Sequence, residues 1–181
     1  DRLGKSTLIQ GIKQTLGFFH TIHFGKPEKL PSYENSVIDS AYQIDHSDGQ
    51  LFNYQSSSFT NSMIIANSGA RVIFDRWHLG EAVYSPLYRG YNGQYVFLYE
   101  KLHKLNLNQD IRLVLLTEDF SKSKHFVDDG ESFDISKRET EQQMFIDAFN
   151  KSIIQDKRIV CVTAEDGQFK PKERILKEVL I

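Results

Sequence analysis

The first apolar run of the chain has the spacing of a helix. Its apolar side chains are Leu8, Ile9, Ile12 and Leu16. With Gly17 following as a stop signal, this spacing predicts a helix over 7–16.

Short β-favouring runs alternate with helical patterns along the rest of the chain. We expect strands at 20–24, 71–74, 111–116 and 158–163. Helical patterns cover 36–67 with a break near 45–49, and then 79–88, 94–105, 137–154 and 171–180. Strands that alternate with helices predict an α/β protein in which a parallel sheet is covered by helices on both faces.

Composition narrows the classes of protein to consider. A chain of 181 residues with 40% hydrophobic residues is large enough for one domain with a buried core, so we treat 1–181 as a single domain. The formal net charge of −2 argues against a broad nucleic-acid-binding surface. The single cysteine, Cys161, suits a reducing compartment, and no apolar stretch has the length of a membrane span. We expect a cytoplasmic protein with no membrane or nucleic-acid partner; a homodimer is compatible with the sequence.

The residues before the first helix match the last part of a phosphate-binding loop. Asp1-Arg2-Leu3-Gly4-Lys5-Ser6-Thr7 fits the end of G-x-x-x-x-G-K-[ST], whose first glycine would lie two positions before Asp1. We therefore expect that this sequence begins inside its own loop and that the strand feeding the loop precedes it. A chance G-K-S-T at a helix start is the alternative.

Each residue type in this loop suits a nucleoside triphosphate. Gly4 lets the backbone approach a phosphate, and Lys5 would reach the terminal phosphates. The hydroxyl of Ser6 would bind the Mg²⁺ that accompanies ATP. The N-terminus of the helix adds a partial positive charge to this anion site.

A second polar pair follows the strand at 71–74. Because ligands of open α/β sheets lie at the carboxyl ends of strands, Asp75 and Arg76 should face the loop. The carboxylate of Asp75 could hold Mg²⁺ through water, and Arg76 could bind a second phosphate with both arms of its guanidinium. The alternative is a solvated pair after a core strand.

The polar stretch at about 117–137 has the length and composition of a lid. Phosphoryl transfer needs cations on the migrating phosphate and exclusion of water. Candidate cations are Lys122, Lys124, Lys137 and Arg138, with Arg138 favoured because it begins a helix. An ordinary solvated loop is the alternative, and for any single lysine it is the better interpretation.

Aromatic and histidine residues give weaker signals. Phe52, Tyr54 and Phe59 could stack on a nucleobase, although aromatics on a helical face more often belong to a core. The histidines show no metal-ligand spacing. Only His78, beside Arg76, is near the expected site.

Several of these motifs resemble the thymidylate kinase family. Its loop has an acidic residue before the glycine, as here, followed by GK[ST]T. Gly69-Ala70-Arg71-Val72-Ile73-Phe74-Asp75-Arg76-Trp77 resembles its "G-x-x-V-I-x-D-R-[YFH]" segment, and Ala82-Val83-Tyr84 resembles its "xAY" helix. Leu51-Phe52 lies close to the position of its "LF", and Phe24-Gly25-Lys26-Pro27-Glu28 lies where it has an "REPG" loop.

The resemblance implies a three-layer P-loop NTPase fold and an ATP-dependent phosphotransferase. The implied reaction transfers the γ-phosphoryl group of ATP to a deoxynucleoside monophosphate, with deoxythymidine monophosphate as the favoured acceptor. Lys5, Arg76 and Arg138 would be catalytic, and the residues from Asp1 to Thr7 would bind ATP. Acceptor-binding residues would be Lys26, Phe52, Asp75 and Arg76, and the metal ligands Ser6 and Asp75.

Departures from the family pattern keep alternatives open. Ser56 stands where the family usually has an arginine, Lys26 replaces the loop arginine, and the lid is rich in lysine. These changes suggest a divergent, viral or phage-type deoxynucleotide kinase. A deoxynucleoside kinase, with Glu28 as its base, is one alternative. A nucleotide-binding module without catalysis is another.

Overall fold

The computed structural model describes residues 3–23, 57–65, 67–90, 92–102, 111–124 and 134–181. Helix α1 spans Lys5–Leu16 and ends where Gly17 adopts φ 91°, a value that favours glycine. Strand β1 spans His20–His23, residues 57–65 form helix α2, and strand β2 spans Val72–Asp75. The predicted helix at 7–16 and the strands at 20–24 and 71–74 are therefore present with small shifts at their ends. The rest of the helical pattern predicted for 36–67 lies mainly outside the described residues.

The middle of the chain is helical but less regular than predicted. Helix α3 spans Leu79–Tyr84, and a wider π-helical turn over Ser85–Arg89 continues it. Pro86 lies in this turn, and its missing N–H removes one of the bonds that regular helix would require. A short 3₁₀ turn at Gly93–Tyr95 then leads into helix α4, Val96–Leu102. The expected regular helix over 79–88 is therefore interrupted at Ser85.

The last third of the chain contains two strands and two helices. Strand β3 is Arg112–Thr117, helix α5 is Arg138–Lys151 after a 3₁₀ turn at Ile135–Lys137, strand β4 is Asp156–Cys161, and helix α6 is Lys172–Leu180. The predicted bounds of α5 and β4 were wrong; β4 was expected over 158–163 and spans Asp156–Cys161. α5 ends before the expected residue 154 because Ser152 adopts an extended conformation with ψ 141°. β4 begins at Asp156 rather than 158 because its ladder with β3 starts there, and Arg112 Nε donates to Asp156 Oδ2 at 2.7 Å.

The described strands form two parallel pairs. β1 lies beside β2, with Thr21 opposite Ile73, and β3 lies beside β4, with Val114 opposite Arg158. The prediction of parallel strands alternating with helices is confirmed. The expected single sheet is not: the described strands form two two-stranded sheets.

The buried side chains that the structure describes form two groups. The first core joins α2, α3, α4 and α5 through buried residues that include Phe59, Met63, Val83, Val96, Phe97 and Ala148. The second core lies between β3, β4 and α6 and contains Leu116, Val160, Val162, Ile175 and Val179. Leu3, Leu8 and Ile12 pack against the second core, so α1 belongs to that side of the molecule.

Candidate functional site

The site begins at the first turn of α1. Gly4 precedes the helix with φ 73°, in the left-handed region, and its carbonyl accepts the Leu8 N–H at 2.9 Å. A Cβ at this position would also lie 3.6 Å from the ring of Phe169, so Gly4 lies close to the segment between β4 and α6. Ser6 and Thr7 are exposed on the first turn. Residues with hydroxyl groups are therefore exposed at a helix start, where backbone N–H groups lack partners within the helix, as an anion site requires.

Asp75 lies at the carboxyl end of β2 and contacts this turn. Lys5 Nζ donates to Asp75 Oδ1 at 2.8 Å, although the two residues are 70 positions apart in sequence. His23, at the end of β1, places Nδ1 2.9 Å from Asp75 Oδ2. The expectation that Asp75 faces the loop therefore agrees with the geometry of the two side chains.

Electrostatics keep the Asp75 carboxyl ionised. Partial burial raises its pKa, but the hydrogen bonds and positive charges of Lys5 and His23 outweigh that effect, and the pKa is lowered overall. Both oxygens are thus anionic acceptors that already bind cationic or polar groups. A metal ion would find a carboxylate here without displacing a proton.

Arg76 follows Asp75 with φ 61°, and its side chain is exposed. Its charge reaches the neighbouring tyrosine, Tyr84. Burial and the Glu141 carboxylate raise the pKa of Tyr84, while Arg76 acts in the opposite direction. The Tyr84 hydroxyl donates to Glu141 Oε1 at 3.0 Å and that of Tyr88 donates to Glu141 Oε2 at 3.1 Å. Glu141 therefore joins Tyr84 and Tyr88, and the charge of Arg76 acts on Tyr84.

Arg138 begins α5 near the carboxyl end of β3. Its Nη2 lies 3.5 Å from Glu118 Oε2, and its guanidinium lies 4.8 Å from the centre of the Phe120 ring. Gln142 fixes Glu118 by accepting its backbone N–H at 2.8 Å and donating to its carbonyl at 3.0 Å. Arg138 is thus held beside the start of the expected lid.

The lysines of the expected lid differ in their surroundings. Lys122 is exposed and lies near Asp119 and Glu165, and the backbone N–H of Lys124 donates to Gly167 at 2.8 Å. Lys137 lies over the ring of Tyr88 at 5.4 Å. Of these three, Lys137 is the one whose contacts connect it to the tyrosine pair. Residues 125–133 of the predicted lid lie outside the described part of the chain.

Two side chains that were considered for the site belong to the core instead. Phe59 is 1% exposed and stacks on Trp77 with ring centres 5.1 Å apart, so it is not available to a nucleobase. His78 is also buried, and its Nε2 lies 2.7 Å from Glu100 Oε1. The expectation that His78 was the only histidine near the site was wrong, because His23 contacts Asp75 directly.

The sequence pattern missed His23, Tyr88, Glu118 and Glu141. His23 could have been found, since the carboxyl ends of neighbouring parallel strands lie together. The tyrosine contacts with Glu141 join segments more than 50 residues apart, which local periodicity does not report. Several expected site residues lie outside the described residues: Asp1, Arg2, Lys26, Glu28, Phe52 and Tyr54.

No group of three or more histidine, cysteine, aspartate or glutamate side chains within the described ranges could hold a metal ion. In the same ranges, no helix combines the length and apolar character needed to cross a membrane. Comparison with protein-family models, with curated proteins and with solved structures found no match.

Proposed function

We propose that this chain is an ATP-dependent kinase that transfers the γ-phosphoryl group to a deoxynucleoside monophosphate, with deoxythymidine monophosphate as the favoured acceptor. The observation that carries this proposal is the contact between Lys5 and Asp75 at 2.8 Å. It brings the start of a glycine-preceded helix to the carboxyl end of a parallel strand, next to Arg76. A phosphate-binding helix terminus and a strand-end carboxylate are the two parts that a P-loop phosphotransferase requires.

The residues also suit the charge of the substrates. Lys5 balances Asp75 in the structure described here, and a triphosphate offers Lys5 a more highly charged partner. When Lys5 moves to phosphate, one oxygen of Asp75 becomes available to another cation. The first turn of α1 contributes N–H groups and the helix dipole to the same phosphates.

Ser6 and Asp75 would hold Mg²⁺. A hydroxyl and an ionised carboxylate are hard oxygen ligands, and Mg²⁺ commonly takes only one or two protein ligands while keeping several waters. When bound, the ion would neutralise charge on the phosphate oxygens. The lowered pKa of Asp75 fits this use, since the carboxylate is already deprotonated.

Arg76 would bind the phosphate of the acceptor, and Arg138 would stabilise the phosphoryl group that is transferred. Arg76 is exposed next to Asp75, and its planar guanidinium can bind the acceptor phosphate with two parallel hydrogen bonds. Arg138 lies on α5 beside the predicted lid, where its charge can stabilise the migrating phosphoryl group. A monophosphate oxygen is already a competent nucleophile, so no strong base is required.

We also propose that the two parallel sheets are parts of one three-layer P-loop fold. Supporting this, α1 contacts both of them: Leu8 packs against the second core on β3 and β4, while Lys5 reaches the end of β2. The nucleotide would then lie at the carboxyl ends of both strand pairs.

A product assay tests the proposed activity. The protein is incubated with ATP and Mg²⁺ and with each deoxynucleoside or deoxynucleoside monophosphate in turn, and ADP and the phosphorylated acceptor are quantified. We expect product with monophosphates, and most with deoxythymidine monophosphate. Product with nucleosides but not with monophosphates would show that the acceptor is a nucleoside. If no acceptor gave ADP, the kinase proposal would be rejected.

A further inference from the structure

Arg76 has a backbone conformation that arginine rarely adopts. Its φ of 61° is the only positive value among the non-glycine residues that the structure describes. This region is unfavourable for a residue with a Cβ, which remains there only where its surroundings fix the chain. Because the side chain of Arg76 is exposed, its own packing does not supply that constraint.

The residues on both sides of Arg76 are held. Asp75 is bound by Lys5 and His23, as described above. The Trp77 ring stacks with two phenylalanines, Phe59 and Phe74, each with its ring centre 5.1 Å away and nearly parallel. These contacts fix the chain directly before and after Arg76.

A buried contact of His78 also fixes the segment that follows Arg76. Its side chain is 1% exposed and lies 2.7 Å from the carboxylate of Glu100, which is 0% exposed. The same carboxylate accepts the Ser152 hydroxyl at 2.7 Å and the Ile153 N–H at 2.8 Å. The network therefore ties the segment after β2 to α4 and to the end of α5.

Burying these polar groups costs folding free energy, which is unexpected if the network has only a structural role. A carboxylate only accepts, so His78 Nε2 must donate to it, and the neutral ring then leaves His78 Nδ1 as a buried acceptor without a partner. Burial lowers the pKa of His78 more than Glu100 raises it, which agrees with a neutral ring. Apolar side chains of similar volume often fill such a space with equal or greater stability. Stability alone does not account for the pair.

We propose that His78 and Glu100 are positioning residues that hold the Asp75-to-His78 segment so that Arg76 presents its guanidinium to the acceptor phosphate. The inference rests on the proposed function, in which Arg76 binds that phosphate. The pair itself touches no substrate and acts only through the backbone of Arg76.

The test compares His78→Phe with His78→Gln. Phenylalanine keeps a ring but cannot donate to Glu100, whereas glutamine can place an N–H near the position of Nε2. The readout is the ratio of the affinities for deoxythymidine monophosphate and thymidine, because only the first carries the phosphate. We expect His78→Phe to lower this ratio about ten- to a hundred-fold and His78→Gln to restore most of it.

The matched control is Glu81→Gln. Glu81 is also a buried carboxylate, with 2% exposure and bonds to Arg89 and Tyr95, but it lies outside the segment around Arg76. We expect this variant to lose stability without changing the affinity ratio. An equal change of the ratio in both variants would overturn the positioning role. If His78→Phe does not fold, Ser152→Ala replaces it, because it removes one hydrogen bond to Glu100. We then expect the affinity ratio to fall in the same direction, by a smaller factor.

A double-mutant cycle with Arg76→Ala separates this inference from the proposed function. If His78 acts through Arg76, His78→Phe should leave the ratio unchanged once Arg76 is absent; an undiminished change in that background overturns the inference. If Arg76→Ala alone leaves the ratio unchanged, the proposed role of Arg76 fails. In that case the backbone chemical shifts of Arg76 decide the positioning inference. A shift away from the left-handed conformation in His78→Phe supports it, and unchanged values overturn it.

Discussion

At the scale of single residues, the Asp75 carboxylate organises the site. One oxygen accepts from Lys5 and the other lies beside His23, and its side chain is 12% exposed. The pairing directs Lys5 toward the end of β2. The charge that would bind ATP is thus already in place.

Lys5→Ala should remove phosphoryl transfer without unfolding the protein. The mutation deletes the cation expected on the phosphates, and losing one such group typically costs about a hundred-fold or more in turnover. Because Lys5 is 30% exposed, we expect a stability loss of no more than about 1 kcal/mol. Steady-state rates and urea unfolding measure the two effects. Lys13→Ala, in the last turn of the same helix, is the control and should keep normal rates. Near-normal turnover in Lys5→Ala would contradict the phosphate-loop assignment.

His78 predicts how stability depends on pH. Its pKa in the folded protein is below the ordinary 6.5, so below that pH the unfolded chain takes up a proton that the folded chain resists. Stability should therefore fall as the pH decreases below 6.5, by no more than about 1.4 kcal/mol per pH unit. His78→Gln should flatten this part of the profile, while the lowered pKa of Asp75 acts at more acidic pH in both proteins. Urea midpoints at several pH values measure it; parallel profiles would show that His78 does not titrate in this way.

At the scale of elements, a residue on a strand caps the C-terminal end of α5. Lys157, on β4, donates from Nζ to the carbonyls of Phe149, Asn150 and Ser152 at 3.1, 3.3 and 3.0 Å. These carbonyls include unsatisfied acceptors of the last helical turn, and a cation there also complements the helix dipole. The contact fixes the end of α5 relative to β4.

Lys157→Met should destabilise the protein by about 1 kcal/mol, because it removes this capping charge while keeping an apolar stem. Lys172→Met is the control, since Lys172 is 73% exposed at the start of α6. Thermal unfolding of the two variants measures the difference. Equal melting temperatures would show that Lys157 does not cap α5.

Local sequence patterns predicted many of the helices and strands. They missed the features that depend on contacts between distant parts of the chain. α1 and β2 follow from apolar spacing, and Asp75 at a strand end follows from the parallel topology. The irregular turn after Tyr84 and the early end of α5 depend on Pro86 and on Ser152 binding Glu100. The contact of Tyr84 with Glu141 joins α3 to α5, and no pattern within either helix indicates it. The sequence therefore predicted candidate site residues at the ends of strands, but not those at contacts between helices.

At the scale of the whole molecule, α1 connects the second core with the end of β2. Its apolar face packs with β3, β4 and α6, and its first turn reaches β2 through Lys5. Arg138 approaches from α5, whose Ala148 belongs to the first core. A substrate bound at the proposed site would contact α1, α5 and the end of β2, so substitution of Arg76 tests the proposed site as a whole.

The most direct measurement is the effect of Arg76→Ala on the KM values of both substrates. If Arg76 binds the acceptor phosphate, the KM for deoxythymidine monophosphate should rise by roughly 30-fold to several thousand-fold, equivalent to about 2–5 kcal/mol, while the KM for ATP changes little. Arg76→Lys should recover only part of this loss, because a point charge cannot replace the planar fork. Small and equal changes in both KM values would contradict the account and leave Arg76 as a solvated residue after a core strand.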